Sequence, residues 1–366
     1  MQGNGKPGSA PALVIVGDRV FSSGLVSDRP GGLESETHRI FQLTLSTLRD
    51  AGIAPGDVVR TRAWYVDDAT LNAEEIIKDT HGVVFDHPGP AFSAIRATCL
   101  PDGAPVVIEL EAVRGAAGRI KHFRPDEMSA TSEATFCDGE LWVSGTTSAA
   151  GDVSAQISEI TACVREALTE FGMTPADVVC TRHFMLPAAQ FKNQPEPWSS
   201  FMAQAIPTSA GIAVEGVGES SLFMLECEAV QDASSGRKNL RSGRTYEVEH
   251  NYCRSVRVSG RDVTYVAGST SLAVGEIVRH EFDVAGQVRD TLETIRWAIE
   301  GQGMAWNDLV KTRMYVVGGL EKLPVAIAAL NDELGEMKVA STVIGVPTLS
   351  GPEVVVEIEA TAVSSE

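Results

Sequence analysis

The 366-residue chain carries 30 Lys and Arg against 49 Asp and Glu, which gives a formal net charge of −19. A chain this acidic is not expected to bind nucleic acid or an anionic membrane, because phosphate recognition needs clustered positive side chains. A small anionic substrate remains compatible with it, since such a ligand responds to a local positive cluster. The length exceeds that of a usual single domain and fits three units of about 120 residues.

Several kinds of segment and motif are absent from the sequence. No run of about 18 apolar residues predicts a membrane span, and the N-terminal residues lack the apolar core of a signal peptide. The seven His form no H-E-x-x-H, the six Cys are scattered without metal-ligand spacing, and no glycine-rich nucleotide loop follows a strand. We therefore expect a cytoplasmic protein with reduced thiols that uses no metal and no cofactor.

The predicted elements, taken along the chain, follow one order three times. Each copy opens with a hairpin around a turn that contains Gly and Asp, at residues 13–21, 136–143 and 255–267. A helix with an apolar stripe follows, and a glycine suited to a helix C-terminus comes next. A strand, a second helix and two closing strands complete the copy. The strand is predicted at Val58–Val66, Val178–Leu186 and Leu309–Val317, and the second helix at Ala73–Val84, Glu196–Ile206 and Leu323–Leu334.

Two repeated phrases anchor this periodicity. The first reads G-I-A-P-G-D-V-V-R-T-R up to Arg62, G-M-T-P-A-D-V-V-C-T-R up to Arg182 and G-M-A-W-N-D-L-V-K-T-R up to Arg313. The second closes each copy, as I-E-L-E-A-V, L-E-C-E-A-V and V-E-I-E-A-T. A period this long is a whole domain and not a solenoid unit.

The order β-β-α-β-α-β-β predicts an α+β fold with helices on one face of a mixed sheet. The other face needs cover, and three tandem copies can supply it by packing around a pseudo-threefold axis, as a homotrimer does. We predict domains at residues 1–115, 119–232 and 244–366, with linkers near 115–118 and 233–243. The expected assembly is a monomeric pseudotrimer, and a higher oligomer is left open.

The phrase G-x-x-x-x-D-[VL]-V before a T-R strand, together with the terminal V-E-I-E-A strand, resembles the Rid (YjgF) superfamily of endoribonuclease L-PSP-like proteins. All three copies match over most of their length, and the third matches best, from Val263 to Val363. The resemblance implies a central β-barrel with helices outside and ligand clefts at the boundaries between units.

The chain departs from the pattern of the deaminases in that superfamily. Those enzymes carry P-A-R-S in the penultimate strand, where the arginine clamps the substrate carboxylate. Phe92, Ser209 and Ser341 stand at the arginine position here. The cysteine that usually follows two residues later is replaced by Ala94, Gly211 and Val343.

An arginine in T-R-x-[WFY] occurs in every copy and offers a replacement. In the functional interpretation these arginines bind the anionic substrate beside a catalytic glutamate that matches the cleft carboxylate of the resembled family. In the alternative interpretation each Arg–Glu pair is a buried structural ion pair. The arginines are Arg62, Arg182 and Arg313, and the glutamates are Glu109, Glu226 and Glu357.

The third copy is the preferred site. Tyr315 lies on the same strand face as Arg313, and Ser341 lies in the neighbouring strand. Ser269 and Thr270 follow the glycine that the resemblance places at the ligand, and they offer hydroxyl groups for substrate binding. In the second copy His183 directly follows the arginine, so we expect it on the opposite strand face, where it packs or caps.

Two classes of function follow. One is a cofactor-free enzyme that acts on a small anionic metabolite by general acid–base chemistry at a cleft between units. The resemblance implies hydrolysis of an imine or enamine, and a likeness of the closing strand to the chorismatases leaves vinyl-ether cleavage open. The other class is a non-catalytic pseudotrimer that binds a small ligand. Fold alone does not choose between the classes.

Overall fold

A computed structural model gives the fold, and it describes residues 10–27, 29, 31–66, 72–126, 130–189 and 195–364. Residues 1–9, on which the signal-peptide expectation rests, lie outside this part. Within it the elements are eight α-helices and 17 strands, and the predicted α+β class is confirmed. None of the helices in these ranges is both long and apolar enough to cross a membrane.

The first unit folds as predicted from its periodicity. Helix α1 (Leu33–Asp50) buries Ile40, Phe41 and Leu48 against the sheet, and Gly52 beyond it has a positive φ of 71°, as expected after a helix C-terminus. In chain order the elements are β1 (Leu13–Val16), β2 (Arg19–Ser22), α1 (Leu33–Asp50), β3 (Val58–Tyr65), α2 (Ala73–Val84), β4 (Ala91–Arg96) and β5 (Val106–Val113).

The second unit repeats this order after one additional strand. The Asp152 side chain caps helix α3 (Val153–Glu170) by accepting the Ala155 N–H at 2.9 Å. The elements are β6 (Lys121–Asp126), β7 (Thr131–Cys137), β8 (Glu140–Thr147), α3 (Val153–Glu170), β9 (Val178–Met185), α4 (Glu196–Ala203), β10 (Thr208–Ala213) and β11 (Phe223–Val230).

The third unit is preceded by a segment that is more ordered than a linker. This segment holds two short helices and a strand that pairs with the hairpin of the unit. The elements are α5 (Ala233–Gly236), β12 (Arg237–Leu240), α6 (Thr245–Glu249), β13 (Ser255–Val258), β14 (Val263–Thr270), α7 (Val284–Gly301), β15 (Leu309–Val317), α8 (Leu323–Leu334), β16 (Ala340–Val346) and β17 (Val356–Val363).

All three units have the same sheet topology. The closing strand lies between the hairpin and the middle strand, which gives the orders β1-β2-β5-β3-β4, β7-β8-β11-β9-β10 and β13-β14-β17-β15-β16. The penultimate strand runs parallel to the middle strand, and the other pairs are antiparallel. The helices cover one sheet face over a separate apolar core in each unit.

Contacts between units run in a cycle. The penultimate strand of each unit packs on the hairpin of the next, as β4 on β8, β10 on β14 and β16 on β2. The aromatic residues of the three T-R-x-[WFY] phrases meet on the sheet face away from the helices. The Trp64 ring lies 5.5 Å from Phe184 and 6.0 Å from Tyr315, and all three side chains are buried. The chain therefore covers the second face of its sheets with its own units.

Candidate active site

The predicted arginines lie in a buried network of ion pairs. Arg62 Nη1 donates to Glu109 Oε1 at 2.7 Å, and its Nε donates to Glu226 Oε1 at 2.9 Å. Arg313 Nε donates to the same Glu109 oxygen at 2.8 Å, and Arg313 also pairs with Glu359. The expected pairing of Arg313 with Glu357 is therefore wrong, because the Arg313 guanidinium faces other carboxylates.

The rest of the network uses the second glutamate of each closing phrase. Arg182 Nη1 donates to Glu228 Oε1 at 2.6 Å, and its Nε donates to Glu359. Within the described ranges five cations and five carboxylates take part in these pairs. The cations are Arg60, Arg62, Arg182, Lys311 and Arg313, and the carboxylates are Glu109, Glu111, Glu226, Glu228 and Glu359.

Two of the three predicted catalytic glutamates are fixed as carboxylates in this network. Burial alone would raise the pKa of Glu109, but the charges of Arg313, Lys311 and Arg62 hold it well below its usual range. In the same way Arg62 outweighs burial and lowers the pKa of Glu226 to about 2. Such paired carboxylates favour the structural interpretation of these Arg–Glu pairs.

The third predicted glutamate, Glu357, is the exception. The Arg62 Nε reaches Glu226 across one boundary between units, and the Arg313 Nε reaches Glu109 across another. At the remaining boundary the equivalent Arg182 Nε turns to Glu359 instead. The Glu357 carboxyl consequently has no hydrogen bond or ion pair with any residue that the structure describes. The threefold pattern is thus broken at the boundary between the second and third units.

At this boundary lies a cavity of about 650 Å³, which we call the open cleft. Strands β9 and β10 of the second unit form one wall, and the third unit forms the other with β14, β17 and the segment before β13. Its polar lining includes His183, Ser209, Arg244, Arg254, Thr270 and Glu357. A volume of this size suits a small metabolite.

The Glu357 carboxyl lies directly over Gly268, where any side chain would collide with its Oε1 atom. Burial raises the pKa of Glu357 to about 8, with a further contribution from the neighbouring Glu359 and an opposing one from Arg254. The side chain is therefore mainly protonated at neutral pH. A neutral carboxylic acid on a cavity wall can donate a proton to a bound molecule.

A small residue leaves this boundary without the hydroxyl contact that links the units at the other two boundaries. Thr342 Oγ1 donates to Glu109 Oε2 at 3.0 Å at one of them, and the Gly145 N–H donates to Ser93 Oγ at 2.8 Å at the other. The register of the parallel strand pairs places Ala210 at the same position in the second unit. Alanine has no hydroxyl to offer to Glu357.

The other residues predicted for the third copy do not converge. Tyr315 donates to Glu359 at 2.8 Å inside the network. The Ser341 hydroxyl lies 2.9 Å from that of Thr312, and the Ser341 N–H donates to Ser23 Oγ of the first unit at 3.0 Å. Ser269 is buried, where its Oγ accepts from Arg254 at 3.0 Å, whereas Thr270 lines the open cleft. The predicted convergence of Arg313, Tyr315 and Ser341 on Glu357 is therefore wrong.

His183 lies on the strand face opposite Arg182, as predicted, and it does more than the expected packing or capping. The ring packs 4.9 Å from Trp198 and 5.5 Å from Phe223, and it also lines the open cleft. Burial, and to a smaller degree the proximity of His250, lowers the pKa of His183 to about 3, so the imidazole is neutral.

Sequence reasoning missed two cleft arginines. Arg254 Nε donates to Glu247 Oε1 at 3.0 Å, and its Nη1 donates to the Gly268 carbonyl at 2.7 Å. Arg244 also lines the cleft and is nearly fully buried. Both lie before β13 and at the start of the predicted third unit, where Arg244 directly follows the predicted linker 233–243 and Arg254 directly precedes β13. The arginine-rich and aromatic composition of residues 237–254 is a signal that could have indicated them. In the described ranges no group of three or more His, Cys, Asp or Glu side chains is arranged to hold a metal ion.

Residues 243–364 match the family model described as Endoribonuclease L-PSP. The resemblance to the Rid superfamily is confirmed. A member of the YjgF/YER057c/UK114 family from Mycobacterium tuberculosis is 29% identical over 35% of this chain and 99% of its own, with a TM-score of 0.31. RidA from an Antarctic Psychrobacter is 24% identical over 31% of this chain and 88% of its own, with a TM-score of 0.28.

One solved structure is similar to most of the chain. It is a chorismatase, 14% identical, which covers 84% of this chain and 94% of its own with a TM-score of 0.58. At this identity the likeness concerns the fold alone. No curated protein matches the chain. The match to the family model and the likeness to the chorismatase structure both support a Rid-like fold for this chain.

Proposed function

We propose that the chain is a hydrolase for a small anionic metabolite, that the open cleft is its working site, and that Glu357 is the proton donor. The observation that carries the proposal is the position of the Glu357 carboxyl on the cavity wall, without a hydrogen bond or ion pair to any described residue. The equivalent Glu109 and Glu226 are occupied by arginines. The burial that keeps Glu357 protonated also equips it for acid catalysis.

The reaction that suits a neutral acid begins with protonation of an electron-rich carbon–carbon double bond, as in the enol ether of a 2-oxo acid. Glu357 transfers its proton to the terminal methylene carbon, and positive charge develops on the carbon that bears the ether oxygen. Water adds to that carbon and returns one proton to the Glu357 carboxylate. The second water proton passes to the ether oxygen as the carbon–oxygen bond breaks, which releases an alcohol and a 2-oxo acid.

The fold likeness to a chorismatase makes chorismate, an enol ether of this kind, the first substrate to test. Hydrolysis of an imine is less suited to the cleft, because activation of water needs an ionised carboxylate at neutral pH. An enamine remains compatible, since its hydrolysis also begins with protonation of carbon. The loss of the P-A-R-S arginine supports the third possibility, a binding protein without turnover.

The test measures release of a 2-oxo acid, which is monitored through its coupled reduction to the 2-hydroxy acid. Chorismate and the enamine 2-aminoacrylate both yield pyruvate, so a single readout compares them. Glu357→Gln should lower the rate by roughly 10² to 10⁴, whereas Glu293→Gln on the exposed face of α7 should leave it unchanged. When the reaction is run in D₂O and the pyruvate is reduced as soon as it forms, the product should carry one deuterium in its methyl group.

Three results separate the possibilities. Pyruvate formation from 2-aminoacrylate that exceeds the spontaneous rate without protein, with no pyruvate from chorismate, would identify an enamine and not an enol ether as the substrate. Turnover that is unaffected by Glu357→Gln would overturn the assignment of the proton donor. Absence of turnover with both substrates, together with retained binding of small carboxylates, would support the non-catalytic binder.

A further inference from the structure

Arg244 is an unusual cation in the wall of the open cleft. It lies just before α6 and is 6% exposed. Its guanidinium donates to the carbonyl oxygens of Thr270 at 3.5 Å and of Leu272 at 2.5 Å. A guanidinium has five N–H donors, so these two bonds leave donors unused. No carboxylate in the described part of the chain lies within ion-pair distance of it.

The acidic groups near Arg244 are already engaged elsewhere. Glu247 accepts from Arg254 at 3.0 Å and from the Ser242 N–H at 2.7 Å. Asp290 accepts from Arg279 at 2.9 Å and from Ser271 at 2.8 Å. Burial, followed by repulsion from Arg254, lowers the pKa of Arg244. The attraction of an anion beside it would offset both effects.

The charges of the cleft walls leave one positive charge without a partner. The two arginines that line the cavity are Arg244 and Arg254, and Glu247 neutralises the second of them. Glu357 is the carboxyl group among the described lining residues, and it is protonated at neutral pH. The histidines of the lining are neutral because burial lowers their pKa. One carboxylate group of a bound molecule would pair with this charge.

The position of Arg244 lets one small molecule reach both it and the proton donor. Arg244 contacts the backbone of Thr270, while the Glu357 carboxyl lies over Gly268. Two residues along a strand span about 7 Å, a distance that a carboxylate and a nearby double bond can bridge. On the β10 wall the residue at the P-A-R-S arginine position is Ser209, which has no charge.

We infer that Arg244 binds the carboxylate of the substrate in the open cleft, so that the segment before β13 supplies the anion site that β10 lacks. That this carboxylate belongs to a substrate rests on the proposed function, but binding of a carboxylate by Arg244 does not depend on that reaction. A guanidinium binds a carboxylate through two parallel hydrogen bonds, which a lysine cannot reproduce.

Binding of benzoate and of neutral benzamide, measured by titration calorimetry on the full chain, tests this assignment without turnover. Wild-type protein should prefer benzoate by about tenfold or more. Arg244→Gln should remove that preference, and Arg244→Lys should restore only part of it. Arg257→Gln is the matched control, because Arg257 donates to the Gln302 carbonyl at 3.3 Å and does not line the cavity.

The outcomes distinguish the two proposals. A benzoate preference that survives in Arg244→Gln, or no benzoate binding by wild-type protein at millimolar concentration, overturns the assignment of Arg244. If Arg244→Gln loses the benzoate preference and the wild-type protein shows no turnover, the assignment of the anion site stands and the hydrolase is rejected. With an active substrate, Arg244→Gln should raise KM while kcat changes much less. Thermal unfolding of each variant checks that it is folded.

Discussion

Replacing Glu357 with Gln should stabilise the protein at alkaline pH and have little effect on it in acid. The pKa of Glu357 is about 8 in the folded chain against an ordinary value of 4.5. A carboxyl whose pKa is raised by folding contributes stability below pH 4.5, and that contribution is lost as the pH rises towards 8. The difference between the two pKa values corresponds to roughly 5 kcal/mol of unfolding free energy. Glutamine does not titrate and avoids this loss.

Denaturant unfolding of both proteins at pH 5, 7 and 9 measures the effect. The free energy of unfolding of Glu357→Gln minus that of wild type should grow by several kcal/mol from the acidic to the alkaline end. Glu226→Gln is the opposite control, because Arg62 outweighs burial and lowers the pKa of Glu226 to about 2. That variant should be destabilised throughout this range. A difference for Glu357→Gln that stays flat between pH 5 and 9 would refute a buried neutral acid at this position.

Two further substitutions test the cleft and the network separately. Gly268→Ala should leave the fold intact, because the end of the Glu357 side chain can rotate away from the new methyl group. The same rotation displaces the acid, so most of the turnover should be lost. Full activity in a rate assay would contradict this geometry. Arg313→Met should cost about 3–5 kcal/mol in denaturant unfolding, since Glu109 and Glu359 each lose a buried partner. A loss below about 1 kcal/mol would show that the network redistributes its charges.

The fold was largely predictable because its signals are local. The predicted helix Ala73–Val84 matches α2, and the predicted stripe of α7 packs on its own sheet. The second helix of the middle unit ends at Ala203 and not at Ile206, where a positive φ of 51° excludes a helix. Such an end is set by the entry into β10 and not by helix propensity.

The site was predictable only in part because its decisive contacts join distant segments. Glu357 and Thr270 were found through the repeat, which places them beside each other on paired strands. The turn of Arg182 towards Glu359 could not be read from the sequence, since all three copies hold the same Arg and Glu pattern. Arg244 was missed because it lies outside the repeated pattern and reaches the cleft only through tertiary packing.

The separate encoding of the three boundaries has a consequence for how this protein can change. In an assembly of identical chains, every substitution at a contact occurs in all the equivalent contacts at once. Here Ala210 alters one contact, while Ser93 and Thr342 keep their hydrogen bonds at the other two. Mutations that reshape the pocket around Glu357 can therefore accumulate without weakening the two contacts that keep the units assembled.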